Sequence, residues 1–179
     1  MRLIRLVLVG VLVPIGTPAS AQGDPCLLSD RLFFETVAEL FEGDWQVQNN
    51  GGYSFVNGNH GEIPAGAVAE PATLIVSDDG THIVLNSSNM PEPVELRFAE
   101  NLEINLEAET QIPRRLMTNE DLGTVSGCHY RDLAHLDGSS TVEFGGEMTT
   151  VSYRLTILGE SFIHGVIWTE GTWNDLPSW

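Results

Sequence analysis

The chain contains no lysine, and its eight basic residues, all arginine, face 25 Asp and Glu, for a formal net charge of −17 over 179 residues. A surface this acidic repels phosphate backbones and anionic lipid, so nucleic acid and anionic membrane surfaces are disfavoured as partners. Histidine is also sparse, at five residues, and none stands in an H-x-H or H-E-x-x-H spacing, so no zinc motif and no metal site is expected. There is no G-x-S-x-G elbow, no phosphate-binding loop and no dinucleotide fingerprint, and hence no cofactor is expected. Asp78-Asp79-Gly80 lacks the spacing and the closing Glu of a calcium loop, and turn chemistry accounts for it. Ser126-Gly127-Cys128-His129 sets a Ser near a His without an orienting acid, which is not a triad. With no catalytic constellation legible, the expectation is a protein that is not an enzyme.

Cysteine is limited to Cys26 and Cys128. In an oxidising compartment such a pair is expected to form a disulfide. The rival, a metal site from Cys128 and His129, fails because neighbours on a strand point to opposite faces.

No apolar run reaches the roughly 18 residues a membrane-spanning helix needs. The longest, Leu6 to Ile15, is interrupted by Pro14, preceded by Arg2 and Arg5, and followed by Ala19-Ser20-Ala21. Basic start, short apolar core and small-residue site together are the pattern of a secretory signal peptide. Residues 1–21 are expected to be a leader and 22–179 one mature domain, periplasmic or secreted. Removal of Arg2 and Arg5 takes the net charge from −17 to −19.

One helix is expected, over about 29–42, where Ser29 or Asp30 can cap the start, Phe33, Val37, Leu40 and Phe41 recur at helical spacing, and Gly43 stops it. Beyond Gly43 the period becomes two. Asn49-Asn50-Gly51-Gly52 reads as a turn, 57–71 as a long loop, and Asp78-Asp79-Gly80 and Glu100-Asn101 as hairpin turns. Val94, Leu96 and Phe98 alternate with Glu95 and Arg97, and Leu102, Ile104 and Leu106 with Glu103, Asn105 and Glu107. That alternation is what an antiparallel sheet with one wet face requires. Residues 109–138 are irregular, with an exposed connection at Pro113-Arg114-Arg115. Asp137-Gly138-Ser139-Ser140 reads as a turn, and strands follow at 141–144, 148–158 and 162–172. Val151, Tyr153, Leu155 and Ile157 share one face of the second; Phe162, His164, Val166 and Trp168 share one face of the third.

The fold class expected is therefore all-β: an antiparallel meander of about eight strands with one short N-terminal helix, closed into a barrel or stacked as a β-sandwich. Trp168, Trp173 and Trp179 crowd the C-terminus, but the charged outward set Glu95, Arg97, Glu103 and Glu107 argues against insertion into a membrane.

A short helix, then Gly43-Asp44-Trp45 opening a strand, then consecutive hairpins, resembles the lipocalin-like (calycin) barrels. In that family the Trp of a Gly-x-Trp motif packs across the closed end beneath an Arg from a late strand. The resemblance implies these structural roles for Trp45 and Arg154, although Arg154 lies on the penultimate strand rather than the last. It further implies an eight-stranded barrel holding a small apolar or amphipathic ligand, for which Phe98, Ile104, Tyr153 and His164 are the candidate contacts. His82 and His164 could converge across such a barrel. The alternative is a non-catalytic envelope protein with a filled core, acting on a protein partner.

Overall fold

The structure, a computed structural model, describes residues 2–14, 25–56, 59–88, 90, 92–100, 117–144 and 147–173. The chain folds as an antiparallel barrel. Strand β1 is Arg2–Pro14, helix α1 is Arg31–Val37, β2 is Gly43–Val56, β3 is Asn59–Ile63, β4 is Glu70–Val76, β5 is His82–Ser87 and β6 is Val94–Phe98. Helix α2 is Asn119–Ser126, and β7 (Ala134–Phe144), β8 (Glu147–Gly159) and β9 (Phe162–Trp173) complete the sheet. Each strand from β4 to β8 pairs with its successor in the chain, β2 pairs with β4, and β1 lies between β9 and β2, pairing with both. Eight strands thus close the ring, with β3 added outside it on the far half of β2. Closure excludes the sandwich, and it removes exposed sheet edges from the ring.

The residues expected to form a leader's apolar core thus supply a stave of the barrel. Gly10, Val11 and Leu12 stand opposite Gly165, His164 and Ile163 of β9, and opposite Asn49, Gln48 and Val47 of β2. The small-residue run Ala19-Ser20-Ala21 lies outside the described residues, as do Leu102–Ala108, Pro113-Arg114-Arg115 and Trp179.

The N-terminal helix is shorter than its pattern. Asp30 caps α1 by accepting from the Phe33 amide at 2.9 Å, and Ala38–Phe41 continue as a 3-10 turn. The buried stripe is Phe34, Ala38 and Phe41, while Leu40 is exposed and Phe33 and Val37 are half-buried, so the apolar face is rotated from the one expected. The tightening to 3-10 geometry after Val37 breaks the 3.6-residue register.

Two expected turns are continuous strand. Asn49–Gly52 lies inside β2, where the pairing to β1 slips between Leu8 and Gly10. Gly51, at φ 94°, forms this bulge, and there β2 exchanges its neighbour β4 for β3. A Cβ on Gly51 would sit 2.8 Å from the Ile63 carbonyl oxygen. Glycine here serves a bulge rather than a reversal. Part of the expected loop at 57–71 is strand β3. Likewise Asp137–Ser140 runs straight through β7, and Gly138 is required because a Cβ would overlap the Glu95 carbonyl of β6. The Asp78-Asp79-Gly80 turn forms as expected. The Asp79 carboxylate accepts from Thr81 and Ser77, which hold it well below the usual carboxylate range, and Gly80 takes φ 70°.

Helix α2 departs from the irregular connection expected over 109–138. Its signal is a capping box: Thr118 accepts from the Asp121 amide at 3.1 Å while Asp121 accepts from the Thr118 amide at 2.8 Å. The disulfide Cys26–Cys128 ties the segment before α1 to the end of α2.

Candidate functional site

The barrel's inner face is zoned along its axis. At the end closed by α1, Phe34, Phe41 and Trp45 are almost wholly buried and meet in one cluster. The Trp45 indole donates to the Phe41 carbonyl at 3.0 Å, and the Phe34 ring lies 5.5 Å from that of Phe98. Above this floor Leu74, Ile83, Leu96, Leu136, Ile157 and Ile163 fill the interior. At the opposite end, strand alternation places Thr149, Val151, Tyr153, Ile167 and Thr169 on the same inner side; Val151 and Ile167 remain half-exposed, and the Tyr153 hydroxyl is 3.3 Å from Ser140 Oγ.

Beside the closed end, a hollow of about 290 Å³ opens between the start of α1 and the adjoining ends of β6 and β7. Its apolar wall is Leu32, Phe98 and Leu133; Arg31, Glu100 and Arg131 carry charge around it. The Glu100 charge reaches Arg31, which also donates to Glu35 at 2.8 Å. His135 lines the hollow and is buried. Its Nε2 donates to the Tyr130 carbonyl at 3.2 Å, so Nδ1 accepts from the Thr156 hydroxyl at 3.2 Å. Burial holds this imidazole below its ordinary pKa, against the Tyr130 hydrogen bond.

Of the four expected ligand contacts, the three among the described residues are not brought together. Phe98 stands at the closed end against Phe34 and borders the hollow. Tyr153 is inside, towards the other end. Ile104 lies outside the described residues. His164 does not face the lumen: its neighbour Ile163 does, and alternation turns His164 to the outer wall, in a row with Val11, Thr156 and His135. There it is 2 % exposed and neither ring nitrogen has a hydrogen-bond partner among the described residues; burial pushes its pKa down to about 4. His82 also points outward, from the far side of the ring, and does not converge with it.

Trp45 closes the helix-capped end. Arg154, however, alternates with inward Tyr153 and Leu155 and so stands on the outer wall. Its guanidinium grips Asp137 through two hydrogen bonds and lies 5.8 Å from the Trp168 ring centroid. The signal for this outward assignment is present in the sequence, since Arg154 falls out of phase with Val151, Tyr153, Leu155 and Ile157.

Among the described residues no group of three or more His, Cys, Asp and Glu is placed to hold a metal ion, and no helix is long and apolar enough to cross a membrane. No protein-family model, curated protein or solved structure matches the chain.

Proposed function

We propose that this is an exported barrel protein that binds a small amphipathic molecule, held in the hollow beside its closed end. The observation that carries the reading is the mixed lining of that hollow, with Leu32, Phe98 and Leu133 on one side and Arg31, Glu100 and Arg131 around it. Small-molecule sites combine an apolar wall with a few convergent polar groups. Export is supported by the disulfide, which persists in oxidising compartments, and by the basic-apolar-small pattern of residues 1–21. The lipocalin-like resemblance supports the reading through the helix-capped end and its Trp45.

The test is organic extraction of the purified protein with mass spectrometry of the extract, together with titration by an amphipathic fluorescent probe. Leu32 is 75 % exposed, so Leu32→Glu leaves the fold intact while placing a charge on the apolar wall. It should weaken probe binding about tenfold, the scale of one lost apolar contact. No extracted molecule and no titration would sink the reading.

One observation favours a second reading, a non-catalytic protein that acts on a partner: the inner face between floor and rim is packed as a continuous core. Under that reading the probe fails and a protein partner is recovered instead.

A further inference from the structure

The residues that read as a cleaved leader are the same residues that close the barrel. Strand β1 is registered against β9 from Arg2↔Trp173 to Leu12↔Ile163 and against β2 from Ile4↔Val56 to Pro14↔Trp45. It runs antiparallel to both, so β2 and β9 run parallel to each other. The remaining seven staves form an antiparallel meander, β2-β4-β5-β6-β7-β8-β9. An odd number of alternating staves cannot close with antiparallel pairing at every seam. Direct union of β2 and β9 would be the ring's one parallel pair, a slanted and less stable ladder.

We propose that processing after Ala21 opens this seam, and that the seam then accepts in trans an extended apolar strand from another exported protein, antiparallel to both β2 and β9. The inference rests on the export reading above.

The structure specifies the chemistry of the occupant through the strand now seated there. At the position of Gly10 a Cβ would make ordinary contacts, 3.4 Å from Val47 Cγ1 and 3.6 Å from the Gln48 carbonyl oxygen, so this position does not require glycine. At the position of Leu12 the occupant needs an aliphatic side chain that enters the core, where Leu12 is 3 % exposed. At the position of Val11 it needs an uncharged side chain, since this residue stands beside His164, which is buried without a partner among the described residues. Backbone hydrogen bonds along two edges give affinity in such strand addition, and alternate side chains give selectivity. The described residues of a second copy offer no free donor strand. Among the described residues every other strand is already in the ring, and β3, the short polar Asn59–Ile63, is engaged on β2.

The probe is a labelled peptide of residues 2–14 with a solubilising tail, titrated into the exported protein after intact-mass measurement shows where its chain starts. Saturable binding is expected, with new amide-exchange protection along 45–49 and 163–169. Peptides carrying Leu12→Asp or Val11→Asp should bind at least tenfold more weakly, since both positions are buried. If the processed chain lacks a cooperative unfolding transition alone, its recovery on refolding with the peptide supports the proposal, and no recovery opposes it. Protection of both edges in the processed chain alone, as a monomer or as a dimer, overturns it, as does binding indifferent to the peptide substitutions. An intact mass that retains residues 2–14 overturns the processing on which the seam depends and leaves ligand binding in the hollow untouched.

Discussion

Arg154 on β8 and Asp137 on β7 stand directly opposite each other on the outer wall, joined Nε to Oδ1 at 2.6 Å and Nη2 to Oδ2 at 2.7 Å. The Arg154 side chain is 8 % exposed and that of Asp137 29 %. A fork-to-carboxylate pair so placed is costly to break from one side, because it leaves a desolvated guanidinium short of its counter-charge. Asp137→Ala should therefore destabilise the fold by about 2 kcal/mol. The double change Asp137→Leu with Arg154→Met should recover part of that loss. Chemical denaturation of the two variants checks both.

His164 makes stability depend on pH. The folded imidazole titrates at about 4, against an ordinary value of 6.5, because burial disfavours its charged form. Above pH 6.5 neither state binds the proton and the contribution is whole. As pH falls from 6.5 towards 4 the unfolded chain takes up a proton that the folded chain refuses, so stability is lost across that window and levels off below it. The loss is on the order of 3 kcal/mol. Burial of His135 acts in the same direction. His164→Leu should flatten the profile between pH 7 and 4; an unchanged slope in urea titrations would count against the assignment.

The Cys26–Cys128 bond spans 102 residues of sequence. In the chain-entropy account a loop of that size contributes up to about 4–5 kcal/mol. It also anchors α2, whose Leu122 packs with Tyr130, Leu133 and Leu158 on the outer wall. Replacing both cysteines with serine should lower the midpoint of thermal unfolding, and amide exchange should accelerate first in 119–132, beside the closed end of the barrel.

Gly138 admits no side chain. A Cβ would overlap the Glu95 carbonyl and approach the Leu96 and Val94 side chains. Gly138→Val should cost at least about 2 kcal/mol, as overpacking does, and loosen β6 from β7. Gly127, which caps α2 at φ 75° with open space where a Cβ would stand, is the contrasting case. There alanine should cost only about 1 kcal/mol, from backbone strain alone. Denaturation midpoints of the two variants should separate accordingly.

Much of this architecture is a local property of the chain. Two-residue alternation in 94–98 and 151–157 places Val94, Leu96, Tyr153, Leu155 and Ile157 inside, because successive strand side chains must take opposite faces. Asp30, Gly80 and the pair Cys26 and Cys128 behave as their chemistry requires. Other features depend on what the chain meets in three dimensions. A glycine run is locally the same whether it reverses the chain or bulges a strand; Gly51 and Gly138 are settled by the Ile63 and Glu95 carbonyls that approach them from other strands. An apolar run with a basic start has the same pattern as leader or as stave, and only its pairing to β9 and β2 makes residues 2–14 the closing strand. The inward or outward role of His164 and Arg154 follows from phase, but that the outer wall at both is itself buried depends on contacts distant in sequence. Periodicity is written residue by residue; register and closure are relations between segments, and no single segment encodes them.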